Sequence, residues 1–228
     1  MERSEVAIII PAFNEADTIE AVVKGVLPYG LAIVVNDCSN DATAQLAKQA
    51  GSLVVNHEYN QGYDAALNSG FQKASELGAL YAITFDADGQ HCSELLRQYI
   101  EYLRQGYDLV LGVRPKSVRI GEKLFSIVTN LLYSVKDPLC GMKGYNLKLY
   151  EKHGIFDSFN SIGTELAINS IRDRCSFVQL AVPISVRKEK SRFGNHFAAN
   201  LKIFMAMIIL VFKNNATRYF RSNLHEKC

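Results

Sequence analysis

The stretch ITFDADGQH, residues 83–91, closes an apolar run with two carboxylates one residue apart, Asp86 and Asp88. Like charges that close on a turn repel unless a cation lies between them or one takes up a proton. A hard divalent ion, Mg²⁺ or Mn²⁺, resolves the conflict: one or two carboxylates hold it, and substrate phosphates and water fill its other positions. The chemistry would then be neutralisation of charge on a phosphate or diphosphate. A second reading makes Asp86 the cap of the turn and Asp88 the cap of a helix opening near Ser93, with Asp-Gly a common turn pair. On these nine residues alone both readings stand.

Three more polar clusters each follow a short apolar run: PAFNE (11–15), NDCSND (36–41) and NHEYNQG (56–62). The runs at 6–10, 32–35, 53–55, 81–85 and 108–113 have the length and β-branched content of buried strands, and 15–26, 41–49, 65–77 and 94–105 carry apolar residues at helical spacing. This alternation predicts an α/β fold with a mostly parallel sheet, right-handed crossovers and helices on both faces. Such sheets bind ligands beyond the carboxyl ends of their strands. All four clusters fall there, so one cleft can receive them.

After residue 113 the alternation stops. An amphipathic helix is expected over 120–135, a turn-rich segment over 136–146, a helix over 162–174 and a strand within 177–186. A basic loop, RKEKSRFGNH (187–196), leads into a tail whose residues 201–212 are apolar except for Lys202. About 20 apolar residues are needed to span a bilayer, so this run is too short to be expected to span one. The expected organisation is one domain, 1–196, with halves 1–113 and 114–196, followed by an apolar and basic helical tail, 197–228.

The 228 residues are 48% apolar, enough for one substantial core, and the formal charge of +2 is too small for a nucleic-acid partner. Five cysteines (38, 92, 140, 175 and 228) form no C-x-x-C pair, which reads as reduced thiols in a cytosolic compartment. The opening MERSEVAIII has no signal-peptide pattern, so no export is expected.

In order and spacing, IIIPAFNEADTI (8–19), VVNDCSNDAT (34–43), NQGYDAALNSGF (60–71) and ITFDADGQH resemble the nucleotide-binding half of glycosyltransferase family 2. The branch it most resembles is that of dolichol-phosphate mannose synthase and bacterial polyprenyl-phosphate glycosyltransferases. DPLCGMKGYN (137–146), GTEL (163–166) and VPISVRKEKSRFG (182–194) continue the likeness over residues 5–195. The resemblance implies a single GT-A nucleotide-diphosphosugar transferase domain, a Rossmann-like sheet with an appended acceptor region. It also assigns roles by position. Pro11, Ala12, Asn14 and Glu15 match the nucleoside-contacting segment, Asp37 the acid that accepts from the base's N–H edge, and Asp86 and Asp88 the metal pair beside the diphosphate. Asp64 falls in a nucleotide-contacting turn, and Lys143 stands where a basic residue holds diphosphate or acceptor phosphate. From the residues alone, Glu15 and Asp37 also suit helix N-termini, and His57 and His91 read as packing or turn residues.

The acceptor divides two chemistries. A hydroxyl needs a general base, whereas a lipid phosphate is already an oxyanion and needs positive charge to position it. Family members that glycosylate hydroxyls commonly carry Glu-Asp where this chain has Glu165-Leu166. Arg187, Lys190, Ser191 and Arg192 resemble the loop with which polyprenyl-phosphate enzymes grip phosphate, although Arg192 replaces the commoner Lys. With Asp88 and Glu165 they make up the catalytic candidates. Were the acceptor a hydroxyl, Glu165 or Asp137 would have to be the base. The expectation is therefore a metal-dependent inverting transfer from a UDP- or GDP-sugar to polyprenyl phosphate for cell-surface glycan assembly. A family 2 transfer to a glycan hydroxyl, including a lipid-linked glycan, and a non-catalytic nucleotide-sugar binding module are the alternatives.

A lipid acceptor requires contact with a membrane. Leu124, Ile127, Val128, Leu131 and Leu132 lie close to one helical face, and the tail 197–213 is followed by Arg218 and Arg221. Apolar helices beside basic residues suit an anionic lipid surface. The expected location is peripheral, on the cytoplasmic inner face. The other reading makes these core helices or contacts in a homo-oligomer.

Overall fold

The computed structural model describes residues 5–115, 120–183 and 200–210. Strands β1 (Val6–Ala12), β2 (Leu31–Asn36), β3 (Leu53–Asn56), β4 (Tyr81–Thr84) and β5 (Leu109–Val113) fall on the five apolar runs. Helices α1 (Ile19–Val26), α2 (Thr43–Gln49), α3 (Tyr63–Glu76) and α4 (Leu95–Arg104) connect them. Every residue of β1 is buried, so its sequence is continuously apolar rather than alternating, as a strand covered on both faces requires.

The second half adds α5 (Ile120–Tyr133), β6 (Lys143–Asn146), α6 (Leu147–His153), α7 (Glu165–Arg172) and β7 (Phe177–Ala181). Residues 200–210 form a further helix, α8. The seven strands make one sheet in the order β3-β2-β1-β4-β6-β5-β7. The pairs β1–β2, β1–β4, β2–β3 and β5–β7 are parallel. β6 runs antiparallel between β4 and β5.

The turn-rich pattern at 136–146 thus contains a strand, and α6 follows it. KGYN has no apolar alternation. Tertiary bonds place it instead: the Thr84 hydroxyl donates to Gly141 O at 2.6 Å and accepts from Lys143 N at 3.0 Å. α7 begins at Glu165 rather than at 162, because Ile162 and Gly163 adopt positive φ.

Alternate residues of the strands build two cores. Ile9, Ile33 and Val35 pack with Phe71, Phe125, Leu166 and Leu210 from α3, α5, α7 and α8. Ile8, Ile10, Val34 and Ile83 pack with Val23, Ala47, Leu96 and Leu103 from α1, α2 and α4. Gly70 lets α3 lie directly on β1; a Cβ there would collide with Ile9 Cγ2. Arg172 joins three helices: it donates to the Tyr133 phenol and to Leu210 O at 3.0 Å, and its guanidinium stands 4.9 Å from the Tyr133 ring centre.

Arg187, Lys190, Ser191 and Arg192 lie outside the described residues, as does the tail beyond 210. Among the described residues no helix is long and apolar enough to cross a membrane.

Candidate active site

The polar clusters meet beyond the carboxyl ends of β1, β2, β3 and β4. Pro11 and Ala12 end β1, and Asp37 N donates to Ala12 O at 2.9 Å. Asn14, at φ 52°, donates its N–H to Ser39 Oγ at 2.9 Å and accepts from Asn40 N at 2.8 Å through Oδ1. Glu15 N donates to Thr43 Oγ1 at 2.8 Å. Thr18 donates through its hydroxyl to Ala87 O at 2.7 Å, which ties the first cluster to the Asp86–Asp88 corner.

Asp37 is 3% exposed, and its carboxylate already has protein partners. Oδ1 accepts from Gln61 N at 2.8 Å and meets His57 Nδ1 at 2.7 Å, while Oδ2 accepts from Gly62 N at 2.8 Å. His57 Nε2 continues to Ser69 Oγ at 2.8 Å. A carboxylate accepts but cannot donate, so His57 carries its proton on Nδ1. Asp37 therefore anchors the loop that leads into α3, and His57 links that loop to the helix.

At the corner itself, the Asp86 side chain is 29% exposed and that of His91 is buried. The two Asp86 oxygens lie 3.2 Å from Tyr63 Oη and 3.1 Å from His91 Nε2. Burial alone would raise the Asp86 carboxyl, but the His91 bond and charge, with the Tyr63 donor, hold it below the usual range. Gly141 packs flat on this carboxylate, where a Cβ would overlap its oxygens. Asp88 Oδ1 accepts from Gln90 N at 3.1 Å. Lys143, 3% exposed, donates from Nζ to Gly163 O at 2.9 Å; burial lowers its pKa despite the nearby Asp137 and Asp86 charges.

Three acids lie on the acceptor side of this region, Asp64 from α3 and Asp137 and Glu165 from the second half. Asp64 Oδ1 accepts from Gly163 N at 2.6 Å, so its carboxylate faces the 160–164 turn. Glu165 accepts from Ser158 N at 2.5 Å and from Ser158 Oγ at 2.9 Å. Asp137 forms a two-pronged pair with Arg114, at 2.7 Å from Nε and 2.9 Å from the terminal nitrogen, and also accepts from Arg114 N. Burial would raise Asp137, but the Arg114 bond and charge keep it below the usual carboxylate range. Neither Glu165 nor Asp137 is thus a free base in this arrangement. Sequence reasoning missed Asn68, which accepts from Phe156 N at 2.9 Å and donates to Asp157 O at 2.8 Å. Its signal, a polar residue on a half-buried helix, is too common to single out.

The donor set suits a hard divalent ion. Asp86 is ionised and oriented by two donors, Asp88 lies on the same turn, and the buried Nδ1 of His91 has no hydrogen-bond partner. No group of three or more His, Cys, Asp or Glu side chains among the described residues forms a metal site alone. Two carboxylates plus substrate phosphate oxygens is the set that Mg²⁺ or Mn²⁺ commonly accepts.

Residues 7–169 match the model of glycosyl transferase family 2. The chain is 30% identical over 238 residues to the UDP-N-acetylglucosamine–dolichyl-phosphate N-acetylglucosaminyltransferase of Methanococcus voltae, covering 89% of this chain and 94% of that one. It is 31% identical over 223 residues to the undecaprenyl-phosphate 4-deoxy-4-formamido-L-arabinose transferase of Pectobacterium atrosepticum, covering 90% and 66%. The fold is similar to glucosyl-3-phosphoglycerate synthase from Mycobacterium tuberculosis in complex with UDP, with a TM-score of 0.72 at 19% identity, over 91% of this chain and 80% of that one. A structure of the same synthase with Mn²⁺, UDP-glucose and phosphoglyceric acid gives a TM-score of 0.69 at 19% identity, over 90% and 79%. With its GT-A fold and the match over 7–169, the chain is a glycosyltransferase that belongs to glycosyl transferase family 2.

Proposed function

We propose that this enzyme transfers a sugar from a nucleotide sugar to polyprenyl phosphate, with inversion and with Mg²⁺ or Mn²⁺, at the inner face of a membrane. One observation carries the choice of acceptor: the candidate bases Glu165 and Asp137 are both engaged, by Ser158 and by Arg114. A hydroxyl nucleophile would need such a base, and a phosphate oxyanion does not. The relatives named for dolichyl-phosphate and undecaprenyl-phosphate transfer support the same class.

In this reading Pro11, Ala12, Asn14 and Glu15 line the nucleoside, and Asp37 shapes its pocket by fixing the 57–62 loop. Asp86 and Asp88 hold the metal. When bound, the ion neutralises charge on the departing diphosphate. A phosphate oxygen of the lipid attacks the anomeric carbon and the bond to the nucleoside diphosphate breaks, with no proton transfer required. Arg187, Lys190, Ser191 and Arg192 position the lipid phosphate, and Lys143 adds positive charge between donor and acceptor. The domain comprises residues 1–196, with the tail 197–228 as a membrane contact.

The test is release of nucleoside diphosphate from a panel of UDP- and GDP-sugars with Mg²⁺ or Mn²⁺, with and without undecaprenyl phosphate. Release that depends on the lipid phosphate is expected. Transfer to a glycan hydroxyl with indifference to polyprenyl phosphate would overturn the assignment.

A further inference from the structure

The turn at 160–164, NSIGT, joins α6 to α7 in an unusual conformation. Asn160, Ile162 and Gly163 have φ of 57°, 59° and 67°. Asparagine and glycine tolerate this left-handed region, but a β-branched isoleucine does not adopt it without support from its surroundings. The support is a set of buried polar groups. Asp157 accepts from Ser161 N at 3.0 Å and from the Ser161 hydroxyl, whose oxygen accepts from Thr164 N at 3.1 Å and Glu165 N at 2.8 Å.

Gly163 is held at both of its backbone polar atoms. Its N–H donates to Asp64 Oδ1 at 2.6 Å, and its carbonyl accepts from Lys143 Nζ at 2.9 Å. Asp64 comes from α3 and Lys143 from β6, and both are buried. Each is close to the donor corner. Tyr63, next to Asp64, reaches Asp86 through its phenol, and its ring would meet a Cβ on Gly163 at 3.6 Å. The acceptor-side turn therefore rests on two buried charged groups, Asp64 from the donor half and Lys143 from the central strand β6.

We propose that Asp64 is a positioning residue, which with Lys143 holds Gly163 left-handed and so sets the start of α7 and the acceptor beside the Asp86 corner. This rests on reading residues 114–196 as the acceptor half. It replaces the sequence expectation of a nucleotide contact by Asp64 with a contact to the protein's own turn. The groups facing the carboxyl are Asp157, Lys143 and the N–H groups of Ile162 and Gly163. Burial, then the Asp157 charge, push the Asp64 carboxyl up to about 7. A neutral amide oxygen can accept from Gly163 N in the same way as a protonated carboxyl, so Asp64→Asn is the conservative variant and Asp64→Ala the disruptive one.

Two measurements test this. Hydrogen–deuterium exchange of the peptide 158–165 reads the turn without any turnover, and calorimetry with UDP and Mn²⁺ reads the donor side. Asp64→Ala is expected to speed exchange in 158–165 by about tenfold or more and to raise the KM for undecaprenyl phosphate by about tenfold. UDP–Mn²⁺ affinity should stay within about twofold, and Asp64→Asn should restore both the exchange and the KM. Unchanged exchange in 158–165, or a loss of UDP–Mn²⁺ affinity larger than the acceptor effect, would overturn the proposal. If the wild type ignores undecaprenyl phosphate, the acceptor reading fails while the exchange result still decides the role of Asp64.

Discussion

Glu165 separates the two acceptor chemistries by magnitude. Removing a general base costs about 10²–10⁴ in rate. Removing one charge from a backbone cap, with a hydrogen-bonding oxygen kept, costs only about 1–3 kcal/mol of stability. Glu165→Gln should therefore retain transfer to polyprenyl phosphate within about tenfold while lowering the melting temperature; a loss of about a thousandfold at unchanged stability would make Glu165 a base after all. Asp88→Asn has the opposite expectation, a fall of about 10²–10³ in kcat together with weaker Mn²⁺ binding, checked by kinetics and calorimetry. Asp64 makes a pH prediction. Its folded pKa of about 7 lies above the ordinary 3.8, so the folded state holds the proton more tightly and stability declines as pH rises from about 4 to about 7. The full cost persists above that window. Thermal unfolding should show Asp64→Asn more stable than wild type at pH 8, with the difference shrinking towards pH 5. At this scale the sequence exposes acids such as Asp37 and Glu165 but not their partners. Gln61 and Gly62 stand 24 and 25 positions from Asp37, so only the assembled loop shows what each carboxylate does.

The elements of the first half were legible because β1 to β5 are short, β-branched and separated by helices of amphipathic period. In the second half α5, α7 and β7 were legible in the same way, but the central strand β6 was not, because it is specified by neighbours rather than by its own pattern. Lys143, Gly144, Tyr145 and Asn146 pair with β4 on one side and, through the first three, with β5 on the other, and Thr84 fixes the register where they begin. Packing between elements gives a sharp prediction at Gly70. A methyl group there must move Ile9 or lift α3 from β1, and overpacking of this kind costs about 1–3 kcal/mol. In a chain of this size each kcal/mol lowers the melting temperature by roughly 2–4 °C. Gly70→Ala should therefore melt several degrees below wild type, and an unchanged melting temperature would mean that the helix has room to shift.

Across the whole molecule, two helices on one side present apolar groups outward. On α5, Ile120, Leu124, Ile127 and Leu131 recur at spacings of four and three and are 81%, 41%, 64% and 83% exposed. On α8, Leu201, Phe204 and Met205 are exposed while Ile203, Ala206 and Leu210 enter the core. The two helices are joined, since Gly121 N donates to Asn200 Oδ1 at 3.1 Å and Arg172 fastens both to α7. α7 begins at Glu165, immediately after the turn held by Asp64 and Lys143, so the apolar face and the candidate site share one rigid support. If the acceptor is the proposed lipid phosphate, that face would rest against the bilayer. Full burial of each aliphatic side chain contributes about 1.5–3 kcal/mol. Ile127→Glu with Leu131→Glu should thus reduce partition onto anionic vesicles by about a hundredfold or more. UDP–Mn²⁺ binding should be unchanged, because neither residue reaches the donor corner. Co-sedimentation with vesicles reads the first quantity and sedimentation velocity reads the mass of the particle. If the double substitution dissolves a dimer and leaves vesicle binding intact, the face belongs to a second copy of the chain, and the membrane contact must be sought elsewhere.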